Sequence, residues 1–153
     1  MDVDLDMKII AVLSGKGGIG KTTTCLGTAL ALKQLGHQPA ILDLDLENPS
    51  IGVVCGKTKQ DLVFMGDLIM PPIWNEIPIM SLSLLPSAQF IDTPTMISEE
   101  RKHEVILHLF NGVNWGVTDI LLVDMPPGSG EEVRGLLKIN LDAAVLVTSP
   151  QSI

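Results

Sequence analysis

Lys8-Ile9-Ile10-Ala11-Val12-Leu13 runs directly into Ser14-Gly15-Lys16-Gly17-Gly18-Ile19-Gly20-Lys21-Thr22, and this passage decides the fold. Residues 8–13 are short, apolar and β-branched, as suits a strand covered on both faces. Residues 15–22 then fit G-x-x-x-x-G-K-[ST] in full, and residues 20–35 open a helix with apolar Leu26, Ala29, Leu30 and Ala31. Glycines let the backbone fold closely around phosphates, so that successive N–H groups point inward. The helix start adds a partial positive charge. Lys21 supplies a full charge for the β- and γ-phosphates, and the Thr22 hydroxyl is placed to ligate magnesium. Gly15, Lys16, Gly17, Gly18, Ile19, Gly20, Lys21, Thr22 and Thr23 are therefore the expected contacts to a nucleoside triphosphate. A glycine-rich turn with no ligand is the alternative, and the strand and helix on either side argue against it.

Outward from this passage, apolar blocks alternate with helical patterns. Further strands are expected over residues 39–43, 77–85, 119–124 and 143–148. Gly36 reads as a stop for the first helix. A second helix is expected over 98–111, with Ser98 as cap, Glu99 and Glu100 in the first turn, and Val105, Ile106, Leu109 and Phe110 as its buried stripe. A shorter helix is expected over 131–137, and residues 49–75 read as mixed loop and short helix. The alternation implies a three-layer α/β fold with a mostly parallel sheet. Asp43, followed by Asp45, ends one expected strand and Asp124 ends another. An aspartate there faces the crevice where open α/β sheets bind ligands. A single such residue reads equally as solvation of a strand end; three beside a complete phosphate loop read as part of the site.

Composition bounds the function. The 153 residues are 46% apolar and 18% charged, consistent with one globular domain over 1–153. With two Trp, three Phe and no Tyr, the core must come from Ile, Leu, Val, Met and Ala. A net charge of −8 argues against a protein that binds nucleic acid by neutralising phosphates. Cys25 and Cys55 form no metal-ligand spacing and read as a small apolar helix residue and a loop residue. His37, His103 and His108 share no ligand spacing and read as ordinary surface or partly packed residues. The acidic start MDVDLDMK lacks the pattern of a signal peptide, and no apolar run approaches the ~20 residues of a membrane span. A reducing, cytoplasmic setting is the expectation.

The run from Ser14 to Thr24 resembles the deviant Walker A of the MinD/ParA/Mrp class of P-loop ATPases. On the residues alone, Lys16 reads equally as a solvated loop lysine. In that class the extra lysine reaches across a nucleotide-sandwich dimer to the partner's phosphates. The resemblance thus implies ATP, Mg2+, and a homodimer or a heterodimer with a related ATPase. Asp43-Leu-Asp-Leu-Glu-Asn-Pro-Ser-Ile51 resembles the D-A-D-x-x-G-P-S segment of Mrp-type proteins, which are similar to bacterial and archaeal iron–sulfur cluster carriers. Asp124-Met-Pro-Pro-Gly-Ser-Gly-Glu131 resembles their D-x-P-P-G-T-G-D. Residues 114–119 and 147–151 have counterparts there too. By resemblance Asp45 orients the attacking water, completing a catalytic set with Lys16 and Lys21. Asp43 and Asp124 join Thr22 at magnesium through bound waters, and residues 126–130 form a switch loop sensing the γ-phosphate.

Two departures stand out. Glu47-Asn48 occupies the place of the family's glycine. The family continues past the position of Ile153 with further strands, adenine-contacting residues and the Cys-x-x-Cys that holds a bridging cluster. This sequence has no Cys-x-x-Cys, so no residue is assigned to an iron–sulfur cluster. The chain is expected to be the N-terminal portion of the family's domain, as a short isoform, part of a longer protein, or a chain that pairs its open sheet edge with a partner. Its sheet would be truncated after about five strands, with residues 145–147 near an uncovered edge. The resemblance implies an ATPase serving iron–sulfur clients. The alternative is a nucleotide-binding regulatory or scaffold module with little turnover. A MinD/ParA-like spatial regulator fits less well, because a basic amphipathic membrane helix is missing and the charge is wrong for DNA.

Overall fold

The computed structural model describes residues 7–45, 48–85, 99–128, 133 and 140–150. The opening strand, β1 (Lys8–Ser14), passes through the glycine loop into α1 (Lys21–Gln34). α1 ends as its glycine predicts. Gly36 adopts a φ of 91°, its N–H bonds Lys33 C=O at 3.0 Å, and the His37 N–H bonds Leu32 C=O at 3.1 Å. That is a Schellman stop, which satisfies carbonyls the helix end would otherwise orphan.

β2 (Pro39–Asp43) follows, buried at every position as befits a strand covered on both faces. Then come α2 (Ile51–Val54), a 3-10 turn (Lys59–Asp61) and two short strands, β3 (Val63–Met65) and β4 (Leu68–Met70). β5 (Ile73–Trp74), β6 (Ile77–Ser81), a 3-10 turn (Leu82–Leu84), α3 (Glu99–Asn111), β7 (Ile120–Asp124) and β8 (Ala143–Val147) follow among the described residues.

Among the described residues the main sheet has the order β5-β6-β2-β7-β1-β8, parallel throughout except for β5 against β6. Alternate side chains go to opposite faces. Val12, Ile41, Ile79 and Leu122 meet α1 through Cys25, Leu26 and Ala29. Ile9, Ala11, Leu42, Leu121 and Val123 meet α3 through Val105, Ile106, Leu109 and Phe110. The expected three-layer α/β arrangement is observed, and so is the expected stripe of α3. Ser98 lies outside the described residues. So does the helix expected over 131–137, apart from Val133, which is helical and buried in the core.

Two expectations are corrected. The strand expected over 77–85 stops at Ser81, because its hydroxyl accepts the Ser83 N–H at 3.3 Å and turns the chain into the Leu82–Leu84 3-10 helix. Residues 49–75 hold more strand than mixed loop and short helix allowed. β3 and β4 pair across Gly66-Asp67, with Gly66 at a φ of 62°. β5 and β6 pair across Asn75-Glu76, both at positive φ as a type I′ turn requires. At the other side of the sheet β8 is an edge strand paired to β1. Val145 is 37% and Leu146 69% exposed, so the apolar edge expected at 145–147 is present.

Candidate functional site

The carboxyl ends of the parallel strands gather the site. Strand register places Ser81, Asp43, Asp124, Val12 and Val145 in one transverse row across β6, β2, β7, β1 and β8. The loop leaving β1 rises beside this row. Gly18 and Gly20 hold φ values of 74° and 92°, which side chains with a Cβ rarely adopt. Ser14 is buried; its hydroxyl donates to Lys16 C=O at 3.0 Å and its carbonyl accepts the Gly128 N–H at 2.8 Å. The loop is thereby fastened both to itself and to the segment after β7.

Lys21 and Thr22, the first residues of α1, both turn to Asp124. The Lys21 ammonium donates to Asp124 Oδ1, and the two side chains are 9% and 1% exposed. The Thr22 hydroxyl donates to Asp124 Oδ2 at 2.7 Å. Lys21 and Thr22, which the motif spacing assigned to phosphate and metal, and Asp124, which the resemblance assigned to metal, are thus one connected unit. Lys16, by contrast, is exposed, and among the described residues its ammonium makes no ion pair.

Asp43 has a different environment from Asp124. Its side chain is fully buried and its oxygens accept from its own loop: Oδ1 from the Asp45 N–H at 3.1 Å, Oδ2 from the Ser50 and Ile51 N–H groups at 2.9 and 3.1 Å. The Ser81 hydroxyl adds a fourth bond, to Oδ2 at 2.9 Å. Burial pushes the Asp43 carboxyl up to about 6; the Ile51 amide pulls the other way, and the charge of Asp124 adds to the rise. Asp45 is half-buried, and its Oδ1 accepts the Asn48 N–H at 3.0 Å. Asn48, which departs from the glycine pattern, thus meets Asp45 through its backbone N–H, a group that glycine also carries.

The fit of a nucleotide and its cation can be judged from the residues present. Gly20 caps α1 without a side chain, and the first turn holds no acid, so α1 itself offers its leading amides no anion. Such a helix start suits phosphate. Thr22 and Asp124 offer hard oxygens suited to Mg2+, which takes one or two protein ligands and fills the rest with phosphate and water. Among the described residues no cluster of three or more His, Cys, Asp or Glu is gathered for a metal. Cys25 and Cys55 are free and buried, and burial raises both thiols, Cys55 to about 11. Protonated, buried thiols are poor cluster ligands.

Ser81 was not singled out in the sequence, and Ser50 stood in the family-like segment without a role. The signal for Ser81 was a polar residue ending an apolar strand, visible only once register set it beside Asp43. Residues 114–119 prove to be a turn at the opposite end of the sheet. The Trp115 Nε1–H donates to Phe110 C=O at 3.1 Å, the Thr118 hydroxyl to Trp115 C=O at 2.6 Å, and Asp119 accepts the Gln38 N–H at 2.8 Å beside His37. Residues 129 and 130 of the expected switch loop, and Leu46 and Glu47, lie outside the described residues.

A family model described as ParA, NUBPL iron-transfer P-loop NTPase, matches residues 6–153. The chain belongs to this family. Its relatives include the cytosolic Fe-S cluster assembly factor NUBP2 homolog of Dictyostelium discoideum, 36% identical over 151 residues, covering 94% of this chain and 56% of the relative. The iron-sulfur cluster carrier protein of Pyrococcus horikoshii is 32% identical, covering 94% and 52%. Among solved structures, a nucleotide-binding protein from Archaeoglobus fulgidus in complex with ADP is 30% identical, with a TM-score of 0.77, covering 95% of this chain and 56% of that one. The septum site-determining protein MinD of Pyrococcus horikoshii, at 22% identity and a TM-score of 0.57, shares the fold. The chain spans a little over half the length of these relatives. Both the α/β P-loop fold and the kinship with iron–sulfur carriers agree with the expectation from sequence. No helix among the described residues is long and apolar enough to cross a membrane.

Proposed function

We propose that this chain binds and hydrolyses ATP with Mg2+ and acts as a dimer in the assembly or transfer of iron–sulfur clusters. The observation that carries the reading is the convergence of Lys21 and Thr22 on Asp124 at the open start of α1. In this reading the amides of residues 15–23 hold the phosphates and Lys21 neutralises charge between the β- and γ-groups. Thr22 and Asp124 hold the cation, with Asp43 next to them in the same row. Bound Mg2+ would offset charge on the phosphate oxygens. Asp45, on the turn after β2, orients the water. Lys16, exposed and unpaired among the described residues, reaches the phosphates of the neighbouring subunit and stabilises charge as the phosphoryl group leaves.

The clients are iron–sulfur proteins, in line with the names of the relatives, and the setting is cytoplasmic, in line with the relative named cytosolic. The partner is a second copy or a related ATPase. No residue of this chain is proposed to hold the cluster itself. The second reading is a nucleotide-binding regulatory or scaffold module with little turnover.

Phosphate release by wild type and Lys16→Ala, with solution mass measured with and without ATP, separates the two. The first reading expects turnover that Lys16→Ala abolishes and a mass that doubles with ATP. Nucleotide binding without phosphate release in the wild type would sink it for this chain.

A further inference from the structure

We propose that Asp43 and Ser81 are positioning residues: together they clamp both ends of the turn that carries Asp45. This rests on the reading that Asp45 orients the attacking water. One carboxylate gathers four donors from three segments. Oδ1 takes the Asp45 N–H, at the start of the turn. Oδ2 takes the N–H groups of Ser50 and Ile51, at its end and at the first residue of α2. The remaining bond, from the Ser81 hydroxyl to Oδ2, fixes the carboxylate to β6.

Two features reinforce the clamp. The Ser81 and Ser83 hydroxyls lie 2.9 Å apart, so β6 and the 3-10 turn after it share the network. Gly52 lies so close that a Cβ there would meet Ser83 Oγ at 2.5 Å and Leu84 Cδ2 at 2.9 Å. α2 is therefore seated directly on the Leu82–Leu84 turn.

The geometry distinguishes the two buried aspartates. An ionised carboxylate offers about four lone-pair positions. Asp124 uses its two oxygens on Lys21 and Thr22, the residues of the phosphate loop. Asp43 commits Oδ2 to three donors and Oδ1 to a fourth, all of them parts of the fold. Asp43 thus acts on the reaction through the placement of Asp45. Ser81, which no spacing pattern singles out, acts through Asp43.

The test uses the full chain carrying Ser81→Ala or Ser81→Thr. Phosphate release is followed against ATP and against Mg2+, and amide exchange at Ser50 and Ile51 is followed without nucleotide. Ser81→Ala is expected to lower kcat roughly ten- to a hundredfold, the scale of a misplaced catalytic group. It should leave the Mg2+ concentration for half-maximal rate within about twofold, because no metal ligand is touched. Exchange at Ser50 and Ile51 should quicken by about tenfold or more, the equivalent of losing one hydrogen bond of the clamp. Ser81→Thr, which keeps the hydroxyl, should recover at least part of both effects.

A tenfold rise in the Mg2+ requirement with kcat retained would overturn the proposal, as would unchanged exchange at Ser50 and Ile51. If the wild type binds nucleotide without turnover, the proposed ATPase function fails. The exchange measurement still decides the clamp: quickened exchange supports it and unchanged exchange refutes it.

Discussion

Replacing Lys21 by Met should destabilise the nucleotide-free protein severely, which is not the usual expectation for a residue of a ligand-binding loop. The side chains of Lys21 and Asp124 are only 9% and 1% exposed and bonded to each other. Met keeps the length of the stem and removes the charge. Among the described residues, the Asp124 side chain would then keep only the Thr22 hydroxyl, with Asp43 opposite it in register on β2. Leaving one member of a buried ion pair unpaired costs roughly 3–5 kcal/mol. Against a total stability of about 5–15 kcal/mol, that would lower Tm on the order of 10 °C.

The double variant Lys21→Met/Asp124→Asn provides the control, since removing a buried pair together is often close to neutral. The single changes should each cost more than the pair, with a coupling energy of at least about 2 kcal/mol. Urea unfolding at pH 7 without nucleotide or Mg2+ reads all four proteins. Added salt should change the coupling little, because buried charges are poorly screened. A Lys21→Met protein within about 0.5 kcal/mol of wild type, or strict additivity in the double variant, would refute the reasoning.

The remaining predictions concern separate parts of the fold. Because burial raises Asp43 to about 6, from a carboxyl value near 4 in the unfolded chain, the folded state binds the extra proton between those values. Its contribution to stability is therefore full below about 4 and lost as pH rises through about 6, an effect of about 3 kcal/mol at most; the difference in urea stability between wild type and Asp43→Asn at pH 4.5 and at pH 7 measures it, and equal differences would contradict it. Gly36→Ala should cost about 1 kcal/mol, read by thermal unfolding, since the helix stop holds a φ of 91°. Gly52→Ala should cost on the order of 1–3 kcal/mol and quicken exchange at Ser50 and Ile51, because its Cβ would collide with Ser83 and Leu84; protection equal to wild type would mean that α2 has room to shift.

The phosphate loop was legible because its chemistry is local: strand, glycines, Lys21, Thr22 and helix occupy one continuous stretch. The central parallel strands were legible because burial on both faces leaves unbroken apolar runs such as Ala40-Ile41-Leu42. The β3–β4 hairpin was also encoded, with Gly66-Asp67 set between apolar Phe64-Met65 and Leu68-Ile69, yet its strands are only three residues each, too short for a strand pattern to stand out from mixed loop and short helix. The Asn75-Glu76 turn was harder, since Glu rarely takes positive φ and no glycine announces it. Asp43 and Asp124 read alike in the sequence because each simply ends a strand. What separates them is long-range: Lys21 reaches one from α1, whereas Ser81 reaches the other from β6.

That difference follows from the order of the strands. β7 lies between β1 and β2, so its terminal carboxylate faces the phosphate loop rising from β1. β2 lies one strand further away, between β7 and β6, so its terminal carboxylate faces the loop it leads into and the hydroxyl on β6. Any phosphate that recruits Lys21 must therefore compete with Asp124 for the same ammonium. The competition is local but its effects need not be. Met125, beside Asp124, donates its N–H to Val12 C=O at 3.1 Å, and Leu44 donates to Asp124 C=O at 2.9 Å. A shift of the Asp124 backbone would strain β1 on one side and the start of the Asp45 turn on the other. A shift of its side chain alone would strain neither. The Asp124–Met125 peptide therefore links the Lys21–Asp124 pair to the start of the Asp45 turn only where the backbone moves with the pair: amide exchange at Leu44 that quickens in Lys21→Met beyond the loss of global stability would show that movement, and exchange that tracks global stability alone would refute it.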